Sequence, residues 1–157
     1  MGTDSTPTPR RRLLLAAAFI VFATGLAGCN EVLAMGLPWV HPPAASEFGF
    51  GPRASKQRVY TATLEPREPL RLRQLQTVAV RVVDANGRPI DDAAISVDGG
   101  MPEHMHGLPT QPRVGRSLGN GVYEIEGVRF SMGGWWELKL AIESPAGADS
   151  VTFNLGL

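Results

Sequence analysis

An all-β fold, an immunoglobulin-like antiparallel β-sandwich of about seven strands, is predicted by three observations. The 157 residues include 18 Gly and 13 Pro, too many for a mainly helical chain and suited to a turn-rich β fold. From residue 57 onward, apolar and polar residues alternate in short runs separated by turn residues, the period a half-buried strand needs. No run carries a sustained helical period. Hydrophobic residues make up 43% of the chain, enough for a packed core. A small open barrel is the alternative architecture.

The first 28 residues read as an export signal. Arg10, Arg11 and Arg12 form a basic cluster, and an apolar run over 13–22 follows. That run is short of the roughly 20 residues that span a bilayer. It leads into Leu26-Ala27-Gly28-Cys29, which resembles the bacterial lipobox. The resemblance implies cleavage before Cys29, diacylglycerol on its sulfur and acylation of the new amino terminus. The alternative is a chance Cys beside an ordinary cleavage site. Two or more acyl chains anchor a protein stably. Asn30 rather than Asp after the cysteine points, by the enterobacterial sorting pattern, to the outer membrane. The arginines resemble a twin-arginine signal faintly, and a plain secretory route is the default. The chain therefore divides into a signal (1–28), a linker (29–56) and a β domain (57–157).

The linker holds Gly36, Pro38, Pro42, Pro43, Gly49, Gly51 and Pro52 and keeps no period. It reads as a tether, and about 25 such residues reach roughly 28 Å. Trp39, Phe48 and Phe50 are the residues able to pack back onto the domain. Strands then follow over 59–64, 70–83, 93–98, 113–118, 122–128, 135–143 and 150–155. In the second, Val78, Val80 and Val82 oppose Thr77, Ala79 and Arg81. Asn86-Gly87 supplies turn chemistry after it, because both residues tolerate positive φ. Trp136, Leu138, Leu140 and Ile142 share one face of the sixth strand, and Val151, Phe153 and Leu155 one face of the last.

The segment most able to carry chemistry is the expected loop over 99–111, which contains Met101-Pro102-Glu103-His104-Met105-His106. Neutral imidazole and thioether suit copper, Cu(I) above all, better than Mg²⁺ or Ca²⁺. In an extended loop His104 and His106 point the same way. Met132, in a turn before the Trp strand, approaches the same end of the sandwich. The candidate metal ligands are Met101, His104, Met105, His106 and Met132, with Glu103 as a further donor. The alternative is structural: Met fills irregular gaps, and His in a Pro-rich loop satisfies backbone carbonyls. Trp135 shares a face with Glu137 and Lys139. It is read as covered by the His/Met loop; an exposed ring available to a partner, or to a small molecule, is the alternative.

Several classes are set aside. Net charge is zero over the whole chain, and 12 basic against 14 acidic residues remain after position 28, so nothing attracts nucleic acid. One Cys excludes a disulfide framework and a four-Cys zinc module. No nucleophile constellation or phosphate-cradling glycine loop is present, so an enzyme is not expected.

The segments Asp84-Ala85-Asn86-Gly87-Arg88-Pro89-Ile90, Met101 through Thr110, Gly121-Val122-Tyr123 and Met132-Gly133-Gly134-Trp135-Trp136-Glu137-Leu138 resemble the YtkA-like and FixH-like families of bacterial envelope proteins over about residues 57–155. The resemblance implies an immunoglobulin-like sandwich facing the periplasm or cell exterior. It also implies, through FixH-like members, an association with copper supply to or assembly of cbb3-type oxidases. The family's loop and turn residues carry over to Met101, His104, His106 and Met132. Unlike FixH-like proteins, this chain has a lipobox in place of a transmembrane anchor. The function expected is a lipid-anchored periplasmic accessory protein that binds or hands over copper, with another envelope protein or copper protein as partner. The alternative is a metal-free interaction module of the envelope.

Overall fold

Runs of branched and aromatic residues alternating with polar ones form nine strands among the described residues, which in the computed structural model are 1, 2 and 40–157. The signal segment, the lipobox with Cys29, and Trp39 lie outside the described residues. The strands are β1 (Arg53–Ala54), β2 (Tyr60–Glu65), β3 (Gln76–Asp84), β4 (Ala94–Met101), β5 (His106–Gly107), β6 (Arg113–Gly119), β7 (Val122–Val128), β8 (Trp135–Ser144) and β9 (Gly147–Gly156). They build two antiparallel sheets, in the orders β1-β2-β3-β7-β6 and β5-β4-β8-β9. Strands β2-β3-β7-β6 reproduce the A-B-E-D order of an immunoglobulin sheet, and β4-β8-β9 the C-F-G order. The predicted sandwich is the fold observed.

The core lies between the sheets. From β8, Trp136, Leu138, Leu140 and Ile142 are at most 1% exposed, and they join Val78, Val80 and Val82 of β3 in one cluster. Phe153 and Leu155 of β9, Ile125 of β7 and Phe130 complete it. Burying each such side chain contributes roughly 1.5–3 kcal/mol. Both alternations read from the sequence therefore face inward as expected.

Three segments differ from expectation. Strand β3 begins at Gln76, not at residue 70. Arg73 takes a left-handed φ of 62°, which breaks the extended run. The Gln76 amide then closes the loop by accepting from Arg71 N at 2.6 Å and donating to Arg71 O at 2.9 Å. Second, the last part of the expected tether belongs to the domain. Phe48 bridges Asn154, β1 pairs with β2, and Ser55 is buried. Third, β4 runs on to Met101 and β5 returns beside it, so part of the expected loop over 99–111 is a short hairpin.

Asp149 fastens the second of these segments. Its carboxylate accepts from Ser55 Oγ, from Gln57 N at 2.9 Å and from Val59 N at 3.3 Å. Burial pushes this carboxyl upward, but the bonds from Ser55, Ser150, Gln57 and Val59 outweigh it and leave it below the usual range. Glu124, bonded by Arg116, and Asp84, bonded by the Arg88 backbone N–H, are also held low. A carboxyl lowered in the folded state adds stability above its unfolded value, near 3.9 for Asp, and loses it as pH falls through the folded value. The melting temperature, followed by circular dichroism, is expected to hold from pH 7 to about pH 4 and to fall below it. Asp149→Asn lowers it at pH 7 and shallows the acid loss without abolishing it, because Asp84 and Glu124 still titrate. An acid limb of unchanged depth in the variant contradicts this account.

Candidate metal-binding rim

The hairpin that presents the histidines is shaped by its backbone. Pro102 opens a single 3-10 turn over Pro102–His104, where its fixed φ is pre-organised. Met105 follows at φ 52°, and its N–H returns to Pro102 O at 3.3 Å. Gly99 and Gly100 let the hairpin lie flat on its neighbours. A Cβ on Gly100 would stand 2.4 Å from His106 O, and one on Gly99 would stand 2.3 Å from Glu137 O.

Register does the rest. Met101 pairs directly with His106, so both side chains leave the same face, the inward one. The His106 ring meets Trp136 edge-on, with centroids 5.4 Å apart. Its Nδ1–H donates to Gly107 O at 2.9 Å, since a carbonyl can only accept, and the lone pair of the neutral ring is left on Nε2. The His104 ring lies 6.0 Å from that of His106, centre to centre, at a tilt of 38°. The histidines are thus neighbours, but a turn and a left-handed residue bring them together rather than an extended strand.

The turn before β8 reaches the same end. Trp136 donates its Nε1–H to Met132 O at 3.0 Å. Gly134, at φ +127°, exchanges backbone bonds of 2.8 and 3.1 Å with Leu157, and its Cα side is occupied by the Met101 methyl. Trp136 is therefore touched by His106 from one stretch and held by Met132 from the other.

The candidate donors divide by depth. His104 and His106 are exposed, Met105 is 81% exposed and Met132 39%. Met101, at 1%, belongs to the core beneath them. Glu103 is also exposed, yet among the described residues no three His, Cys, Asp or Glu side chains converge. The residues assembled here are two neighbouring imidazoles, and the exposed thioethers Met105 and Met132 are the candidate soft donors on the adjoining turns. Two imidazoles bound to one ion at about 2.0–2.1 Å place their ring centres roughly 6 Å apart when near linear, the spacing seen between His104 and His106.

Trp135 is not an open platform. It is 8% exposed, and its cover is Phe48, edge-on at 6.5 Å, instead of the His/Met loop. Its Nε1–H donates to Asn154 Oδ1 at 3.0 Å. The imidazole contact expected on Trp135 falls to Trp136, edge-on from His106, because a one-residue step along a strand changes the face. Sequence reasoning missed Asn154 as a partner, and a polar residue beside inward Phe153 and Leu155 was the available signal.

Gly100→Ala is expected to cost about 1–3 kcal/mol in denaturant unfolding, because backbone atoms must move. Gly107→Ala, whose Cβ would stand 3.6 Å from Gly99 O, is the matched control and is expected to cost at most about 0.5 kcal/mol. Equal costs contradict the close-approach reading.

Residues 54–141 match the YtkA-like family, a span from β1 into β8 that includes the hairpin and the Met132 turn. No curated protein and no solved structure matches the chain. With more than half of its length matched, the chain belongs to the YtkA-like family.

Proposed function

We propose that this protein is a non-catalytic, lipid-anchored accessory protein of the bacterial cell envelope that holds Cu(I) at the rim formed by His104 and His106, with Met132 and Met105 as the adjoining thioethers. Membership of the YtkA-like family supports the envelope assignment. The observation that carries the copper reading is the 6.0 Å spacing of two exposed imidazoles on one short hairpin. One of them has Nε2 left as the lone-pair nitrogen by its bond to Gly107. Thioethers select Cu(I) over harder ions, and an exposed rim suits transfer to a partner better than a closed cage. Cleavage and acylation at Cys29 place the domain outside the cytoplasm, facing the periplasm.

A second reading has its own support. His106 packs on the buried Trp136 ring, a contact that stabilises the hairpin without any metal. In that reading the rim is structural and the domain is an interaction module.

The test uses residues 40–157, which hold the whole described core. Cu(I) titrated against a competing chelator is expected to fill one site. His104→Ala/His106→Ala/Met132→Ala is expected to weaken it by about 100-fold or more. An affinity unchanged in the triple variant ends the copper reading. A lower melting temperature in metal-free buffer with that unchanged affinity leaves the structural reading standing.

A further inference from the structure

We infer that the end of the sandwich carrying this rim is also a membrane-docking face that seats on anionic lipid headgroups. Leu72 and Leu75 remain 39% and 70% exposed, in the loop between β2 and β3 beside the rim. The loop between β2 and β3 is stitched to the turn before β8. Arg73 N donates to Phe130 O at 2.6 Å, Arg73 Nε to Ser131 O at 3.4 Å, and Leu72 bridges Phe130. The Gln76 amide holds the base of this loop closed. Its leucines are therefore kept in solvent by a fixed backbone.

The charge around them is basic. Among the described residues Arg71, Arg73 and Arg129 have no carboxylate in ion-pair range, while Arg67 is engaged by Glu124 at 2.8 Å. Glu68 and Glu103 sit on the same loops and leave a small cationic excess. Arginine alternating with leucine at a convex loop suits an interface where apolar tips enter the acyl boundary and guanidinium groups meet phosphate.

The position of the chain's first part favours a membrane over an acidic protein. His41 and Pro43 line one open cleft with Trp135 and Asn154, where β8 begins and β9 is near its close. The chain thus enters the domain at this same end. The 11 residues over 29–39 span at most about 40 Å. A tether that short raises the effective concentration of the face at the bilayer, so weak contacts suffice. This last step rests on the anchored reading above, whereas the chemistry of the loops does not.

The experiment separates the two. Residues 40–157 contain no cysteine, so Leu75→Cys accepts one polarity-sensitive fluorophore. The labelled domain is mixed with vesicles of phosphatidylglycerol and phosphatidylethanolamine in equal parts, with phosphatidylcholine vesicles, and with polyglutamate. A blue shift, and co-sedimentation of the unlabelled domain, are expected with the anionic vesicles alone and weaken with added salt. Leu72→Ser/Leu75→Ser and Arg71→Glu/Arg129→Glu are each expected to lower partitioning about tenfold or more without changing the melting temperature. Absence of binding by the unsubstituted domain, binding insensitive to both double variants, or preference for polyglutamate overturns the proposal. Vesicle binding by the domain, together with a full chain whose mass shows no acyl groups on Cys29, upholds the docking face and removes the anchor.

Discussion

Trp136 is the contact on which this end of the molecule depends. Its ring is fully buried between the sheets, with Phe130 edge-on at 5.3 Å and His106 edge-on at 5.4 Å. Its one polar atom, Nε1–H, is satisfied by Met132 O. A buried indole without that acceptor would carry a desolvation cost of about 1–3 kcal/mol. One side chain therefore fills the core, shapes the turn before β8 and supports the hairpin that holds the histidines. The turn over Pro102–His104 and left-handed Met105 bring the histidines together, and Trp136 supports the hairpin from beneath.

A different kind of constraint holds the segment that precedes the sandwich. Phe48 caps Trp135 through an aromatic edge, and Asp149 gathers hydrogen bonds from Ser55, Gln57 and Val59. The first fastening is apolar and insensitive to pH, while the second needs an ionised carboxylate. Between them they bring residues 48–57 along the side of the domain. Both fastenings hold this segment to the sheet that contains β8 and β9.

The sandwich and its inward faces were legible in the sequence. Side chains alternate with a period of two, and a face carrying Trp136, Leu138, Leu140 and Ile142 has only one way to be buried. The strand from residue 70 was misread for an equally physical reason. Leu70, Leu72 and Leu75 carry the apolar signal, but the left-handed Arg73 and the Gln76 side chain divert the backbone before it pairs. Phe48 packs onto the domain as its linker position allowed, while Ser55 is bound by a carboxylate 94 residues away, Asp149, a contact that Pro and Gly in irregular chain do not signal.

The sequence by itself determined the fold class and the face of nearly every strand residue, since these follow from local composition and periodicity. Tertiary structure alone decided how deep each candidate ligand lies. Met101 sinks into the core while His104 and His106 stay at the surface, and the Met132 carbonyl is taken up by the Trp136 indole. Trp135 turns to Phe48 and Asn154, leaving Trp136 to carry the imidazole. The burial of Met101 and the cover of Trp135 by Phe48 depend on residues distant in sequence, a packing condition that no local pattern encodes.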